Sequence, residues 1–512
     1  MLRRALVHFR LVLGGIGAGV SILVVAEMTL RLLDVGNPRV FESARSADGT
    51  RTVRLAWNAQ FDKAVPPAPQ REFPADKPPA AYRIFVIGES AAEGVPYGTG
   101  FAFSAWLARR LEAQAPDVQW EVVNAALAGA QSWSALMIVR DIARWSPDLL
   151  VVYLGHNEVG TRFTAAEQRW LDPRRLSIAT QLKETRLYTA MSHVLPMLSG
   201  NRQIDLRSVH RPGEAFAVIG PGGGRVYATM ADRALSSDLY RARLEEMVRI
   251  MRSAGARTML LTLSQNFSDW APAASSHRPG MRADEKVAWR KAVREGDALA
   301  SRDCTGALTA WSRALAIDQG FAELHFKLAR CEDALGRLDE ARAQFRLASD
   351  LDRLPQGAST SFNDILRDVA RREGAILVDI DAVLGAASGP RLVGDDLFVD
   401  HCHPNIRANQ LIAEAVADTI RVQQLAGPTV RWRPDAWVDP PAEAVLAADP
   451  ELRTRELISR GLSCQAAART ACAVQALETA ARLTRDAATR EMLERAVRTA
   501  DPTKEAVPRE GG

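Results

Sequence analysis

Ser90, Asp400 and His403 are the residues whose types and settings suit covalent acyl transfer. A serine hydroxyl is a poor nucleophile until a base takes its proton, and His403 is the candidate base. Asp400, three residues earlier, is placed to hold the imidazole in one tautomer and to stabilise the imidazolium as it forms. A tetrahedral oxyanion needs donors. The Ser90 and Gly129 backbone N–H groups and the Asn157 side-chain amide would supply them, each worth about 10²–10³ in rate. Gly129 suits that place because a side chain there would crowd the substrate oxygen. His401 is a rival base: in an extended segment it shares a face with His403, so position alone leaves both open. An extended chain would point Asp400 away from His401, whereas a turn across Asp400-x-x-His403 lets those two side chains meet. The Asp400–His403 run offers no separated ligand pairs, even with Cys402 inside it, and no metal is expected.

Elements of α/β type must carry these groups. In Arg83–Gly94 (RIFVIGESAAEG) the apolar run Ile84–Ile87 stops at Gly88-Glu89-Ser90, which predicts a buried parallel strand ending in a tight turn. Trp120–Asn124 predicts a second strand running into Ala125–Gly129. Leu149–Leu154 predicts a third, ending in Gly155-His156-Asn157-Glu158. Arg257–Ser264 and Ala375–Ile380 are the fourth and fifth. Helices are expected over Phe101–Ala113, Ser132–Trp145, Ser236–Gly255 and Ile406–Gln423. Strand–turn–helix units with polar carboxyl ends imply a doubly wound parallel sheet of five strands, which binds ligands at those ends. Ala92 stands where the nucleophile elbow G-x-S-x-G requires its last glycine, so this is a different serine turn. Glu89, His156, Asn266 and His277 are candidate substrate-binding groups, although His156 also reads as a loop histidine. Gln265–His277 fits a solvated loop as well as a cleft edge.

Gly88-Glu89-Ser90, Asn124-x-x-x-x-Gly129, Gly155-x-Asn157-Glu158 and Asp400-x-x-His403 together resemble, in order, the four blocks of the SGNH (GDSL-like) hydrolase family. The resemblance covers roughly residues 81–281 and 356–425. Glu89 stands where the name-giving block has Asp, and Glu158 where the third block often has Asp. The resemblance implies a flavodoxin-like three-layer α/β fold, an acyl-serine intermediate on Ser90 and no cofactor. It also implies an acylated glycan or lipid as substrate.

Between the fourth and fifth strands the composition changes. Ala307, Trp311 and Ala314 recur as Ala341, Phe345 and Ala348, an offset of 34 residues. That is the period of the tetratricopeptide (TPR) repeat, a helix pair, which the stretches Val287–Asp318 and Ala322–Asp352 resemble. Ala473, Leu477 and Ala480 keep the same spacing within Glu451–Asp501, as a degenerate third unit would. Such repeats usually bind a peptide or protein; here they equally suit an appendage that shapes the cleft.

The chain of 512 residues is 47% hydrophobic, enough for two to four domains. Lysine and arginine (65) nearly balance aspartate and glutamate (61), which leaves no nucleic-acid footprint. Arg3, Arg4 and Arg10 precede Leu11–Ala26, which carries no charge. This predicts a transmembrane helix with its N-terminus in the cytoplasm and the rest outside, periplasmic in a Gram-negative cell. A cleaved signal peptide is the rival, since Val24-Val25-Ala26 resembles a cleavage site. Five cysteines lack any CxxC, and an odd number leaves at least one thiol without a partner in the chain. Cys464 and Cys472 either bridge two helices across a short turn or stay separate.

The expected organisation is an anchor (1–33), a Pro-rich spacer (34–80), a hydrolase domain (81–281 and 356–425), a helical insertion (282–355) and a helical C-terminal region (426–512). Residues 161–235 are expected to form an insertion or lid. The first functional expectation is a membrane-tethered, extracytoplasmic serine esterase or deacylase. An O-acyltransferase with the same triad and a repeat scaffold with a vestigial site are the alternatives.

Overall fold

The computed structural model describes residues 2–33, 40–45, 49, 51–58, 63–158, 185–187, 191, 218–219, 225–226, 230–467 and 469–501. Most of the expected lid therefore lies outside the described residues. Helix α1 runs Leu2–Leu32, and Val20, Ile22, Leu23, Val24 and Val25 on it are exposed. No helix among the described residues is long and apolar enough to cross a membrane. The expected span falls partly on residues of α1 whose side chains lie outside the described set.

The described parts of residues 34–80 are not the spacer that the stretch's proline content suggests. Strands β1 (Phe41–Arg45), β2 (Arg51–Leu55) and β3 (Glu72–Pro74) pair antiparallel as a small sheet. Its Phe41, Val53, Leu55 and Phe73 are buried in the main core. Phe41, Phe73 and Phe85 meet edge to face, an arrangement that stabilises beyond the area they bury. The Asp141 carboxylate accepts the Val40 and Phe41 N–H groups, both at 3.1 Å, and so fixes where β1 begins.

The five predicted strands form one parallel sheet: β4 (Ala81–Gly88), β5 (Gln119–Asn124), β6 (Leu149–Tyr153), β7 (Arg257–Leu261) and β8 (Ile376–Val378). Its spatial order is β8-β7-β6-β4-β5. The sequence of strands therefore reverses between β4 and β6, the switch point at which open α/β sheets leave a crevice. At β4 the Gly88 position is forced, since a Cβ there would lie 2.1 Å from the Tyr153 carbonyl oxygen on β6. The short helix α2 (Ser90–Glu93) follows β4 directly. Helices α3 (Phe103–Gln114), α4 (Ser132–Ile142) and α5 (Met230–Ser253) begin the covering layers.

Four helices then stand as two antiparallel pairs: α6 (Ala283–Leu299) with α7 (Cys304–Ile317), and α8 (Ala322–Ala334) with α9 (Leu338–Leu351). The repeated triplets fall on the second helix of each pair, and all six residues are buried. Trp311 lies so close to Gly296 that a Cβ there would meet its Nε1 at 2.3 Å, which is how the large residue nests on the small one. The chain leaves and re-joins the hydrolase at one neck. The Asp352 carboxylate accepts the N–H groups of Ala273 (2.7 Å) and Ala274 (2.9 Å), and Arg353 N–H donates to the Ala274 carbonyl (2.9 Å).

Helices α10 (Thr360–Glu373), α11 (Ile380–Ala387) and α12 (Ile406–Val422) complete the hydrolase. One layer packs α3 with α12, and the other packs α5 with α4 and α10. The C-terminal region adds α13 (Pro450–Ala466), α14 (Thr470–Leu483) and α15 (Ala487–Ala500). Disulfides join Cys304 to Cys331 and Cys464 to Cys472, and Cys402 is a buried free thiol.

Candidate active site

The loops that meet at the switch point carry the predicted groups. Gly88 ends β4, Glu89 is extended, and Ser90 opens α2 with its hydroxyl half-buried. His403 Nε2 lies 2.8 Å from Ser90 Oγ. Its Nδ1 lies 2.8 Å from Asp400 Oδ2 and 2.9 Å from Oδ1. These contacts bring together residues 313 apart in the chain. The turn that makes this possible is held by Asp400 itself, whose Oδ1 also accepts the backbone N–H of Cys402 (3.1 Å) and His403 (3.0 Å). Asn405 then caps α12 through the Ala408 N–H, so the helix start fixes the end of the segment.

Electrostatics fits this order. Asp400 is fully buried, which alone would raise its pKa. The charges of His403 and His401 and the hydrogen bonds from His403 outweigh that and hold it well below the carboxylate range. Burial alone would lower the His403 pKa, but the Asp400 carboxylate beside it raises it above the ordinary histidine value. His401 is the poorer base. Burial pushes it down to about 4, and its Nδ1 is 3.6 Å from Asp400 Oδ1, beyond a hydrogen bond. Asp400, His401 and Cys402 also bring a carboxylate, an imidazole and a thiol within 4.8 Å of one another. Asp400 already serves the turn and His403, and burial holds the Cys402 thiol well above its usual pKa, so the cluster suits the triad better than an ion.

The oxyanion side is built by two loops. Gly129 has φ of 76°, a backbone conformation that favours glycine. Asn124 holds this loop: its Oδ1 accepts the Ala126 N–H (3.0 Å), and its amide donates to the Ala92 carbonyl (3.0 Å) and Ser104 Oγ (2.9 Å). Asn157 donates from Nδ2 to the Ala130 carbonyl at 3.0 Å, and Gln131 Nε2 donates to the Asn157 carbonyl at 3.0 Å. The Asn157 side chain thereby lies against the end of the Gly129 loop.

Four expected substrate-binding groups do other work. Glu89 is 1% exposed and faces inward; it accepts the N–H groups of Gly155 (2.7 Å), His156 and Asn157 (2.8 Å). It therefore clamps the Asn157 loop, and burial pushes its pKa up to about 8 against the pull of those donors. His156 is buried and kept neutral, pushed down to about 3 by burial, and its Nδ1 accepts the Ala358 N–H. Asn266 is buried and donates to Asp395 Oδ1 at 2.7 Å, so it fastens two loops. His277 lies in the base of the helical insertion, between Trp289 and Phe321 and 2.8 Å from Asp318. In each case the residue type is polar but the neighbours that consume it are far away in sequence. Glu158, the other departure from the family blocks, accepts the Ser132 N–H at the start of α4.

Two supporting residues gave no sequence signal. Arg71, in the expected spacer, pairs with Glu93 at 2.5 Å and donates to the Ala126 carbonyl at 3.1 Å. Glu93 in turn accepts the Ala128 N–H at 2.5 Å. Trp270 lies 5.7 Å from the His401 ring, and with Phe326 and Phe345 of the insertion it lines a cleft that reaches His401.

Residues 86–329 match the GDSL-like Lipase/Acylhydrolase family. The chain thus carries a GDSL-like SGNH hydrolase domain. The protein is an ester-hydrolysing enzyme. The match includes Ser90, Gly129 and Asn157 and stops before Asp400 and His403, which the sheet brings to the same place. No curated protein matches the chain. Among solved structures it is similar to a lipase/acylhydrolase from Enterococcus faecalis (10% identity, TM-score 0.31, 69% of this chain and 98% of that one). It is also similar to a catalytic mutant of an acetylxylan esterase from Geobacillus stearothermophilus (14% identity, TM-score 0.29, 69% of this chain and 98% of that one).

Proposed function

We propose that this enzyme is a membrane-anchored, extracytoplasmic serine esterase or deacylase that removes an acyl group, most simply acetyl, from a glycan or lipid. The observation that carries the reading is the continuous hydrogen-bonded line from Asp400 through His403 to Ser90. His403 takes the Ser90 proton as Oγ attacks the ester carbonyl, and Asp400 stabilises the imidazolium. The Ser90 and Gly129 N–H groups and the Asn157 amide receive the oxyanion. His403 then gives its proton to the leaving alcohol, and water deacylates Ser90 by the same route in reverse. No metal or organic cofactor enters these steps. The exposed apolar residues of α1 favour the anchor, and two disulfides suit an oxidising compartment. The two helix pairs, read as TPR-like, offer a protein partner a surface beside the hydrolase.

The test is hydrolysis of p-nitrophenyl acetate, butyrate and octanoate by the purified protein and by Ser90→Ala. Loss of at least about 10³-fold in kcat, with short chains preferred, is expected. Undiminished hydrolysis by the variant refutes the reading. A folded wild type that is inert until a glycan acceptor is added would instead favour acyl transfer by the same triad. Full biological activity of the variant would favour the scaffold.

A further inference from the structure

The C-terminal helices reach the reacting groups. Ser463 on α13 donates its hydroxyl hydrogen to Asp400 Oδ2 at 2.9 Å. One turn earlier on the same face, Arg460 pairs with Asp395, in the loop that leads into the Asp400 segment. Beyond α13, Arg469 donates to the Asp269 carbonyl at 2.9 Å and lies 4.4 Å over the Trp270 ring. Trp270 packs with Cys464 and Ala473, so both loops flanking the site rest on α13 and α14.

We propose that Ser463 is a positioning residue for the triad and that the C-terminal helical unit is thereby a working part of the active site. This rests on the reading of Asp400 as the triad carboxylate. The division of labour at that carboxylate supports it. Oδ1 takes the two backbone donors of its own turn, His403 Nδ1 lies against both oxygens, and Oδ2 takes Ser463, the one of these donors that comes from outside the segment. Because Asp400 is fully buried, water does not replace a lost donor there. The Ser463 hydroxyl therefore fixes the carboxylate rotation and shares the charge that acts on His403. The other titratable groups facing the pair are His401 and Cys402 on the same segment, with Glu89 and His156 on the β4 and β6 loops.

The sign follows from the charge. Without the hydroxyl, more of the Asp400 charge acts on His403, so its pKa rises. The test is the pH dependence of kcat/KM for p-nitrophenyl acetate with the full chain, comparing wild type, Ser463→Ala and Ser463→Thr. Ser463→Ala is expected to lose about tenfold in rate, as for one charge-assisted hydrogen bond. Its acid limb should move up by about 0.5–1 pH unit, less than a full neighbouring charge produces. Ser463→Thr should restore the limb. Loss of helix packing alone would lower the folded fraction without moving the limb. A folded Ser463→Ala with an unmoved limb overturns the proposal. If that variant does not fold, the isosteric pair Ser463→Thr and Ser463→Val decides, and identical profiles overturn it. Hydrolysis that survives Ser90→Ala would mark failure of the triad reading instead, independently of Ser463.

Discussion

Arg71 stands in a proline-rich stretch that is easily dismissed as a spacer, and removing its guanidinium should weaken both fold and chemistry. The side chain is 4% exposed, and its partner Glu93 is 21% exposed. Opposite charges about 4 Å apart attract by about 4 kcal/mol at an effective dielectric near 20. Breaking a buried pair by removing one partner costs about 3–5 kcal/mol. Glu93 keeps the Ala128 N–H and is partly solvated, so Arg71→Ala is expected to fall below that range, at about 2–3 kcal/mol. Arg71 also holds the Ala126 carbonyl, and through Glu93 it is linked to the Ala128 N–H, so both ends of the pair grip the loop that ends at Gly129. A loosened loop misplaces an oxyanion donor, so kcat should fall about tenfold with KM little changed. Urea unfolding followed by ester kinetics measures the two effects separately. Glu93→Gln in the Arg71→Ala background should be less than additive, by about 1–2 kcal/mol. Stability within about 0.5 kcal/mol of wild type, together with an unchanged kcat, would refute the reasoning.

The pH profile offers a second check. The His403 pKa is raised, so the neutral base forms only above the ordinary value of about 6.5, and kcat/KM should climb through an acid limb above that pH. A limb at or below about pH 6 would contradict the Asp400 contact. The linked stability has the opposite trend: the His403 contribution is full below about 6.5 and is lost as pH rises through the folded value. Gly88→Ala should abolish soluble expression or cost more than about 3 kcal/mol, because its Cβ would meet the backbone of β6 at 2.1 Å. A thermal midpoint equal to wild type would show that β4 can shift to accommodate it.

The strands were legible because each is a short apolar run with polar residues gathered at its carboxyl end, as in Leu149–Glu158. The strand ends also marked Ser90, Gly129 and Asn157, and the turn Asp400-x-x-His403 could be inferred from spacing. The small sheet β1–β3 was not legible. Its strands are three to five residues long, the third comes from a proline-rich stretch, and Asp141, which anchors the sheet, is 100 residues away from Phe41. Glu89 shows a different limit. Its type suggested a ligand for substrate, but the N–H groups that consume it arrive from the β6 loop, more than 60 residues on. Ser463 lies in a helix of mixed polar and apolar residues with nothing around it in sequence to mark an active-site contact. Such contacts depend on docking, and docking has no periodicity.

The neck at Ala273–Ala274 and Asp352–Arg353 has a consequence for how the gene could be edited. Chain ends already joined by a hydrogen bond of 2.9 Å can be spliced with a short turn, without stretching β7 or β8. The intervening helices therefore add no length constraint to the sheet. They form a side branch, and closing that branch in the unfolded chain costs only a slowly growing entropy. Its length can change by whole helix pairs while the register of the five strands stays as it is. The faces it now covers, among them Phe267 and Leu392, would be the limit on cutting it away.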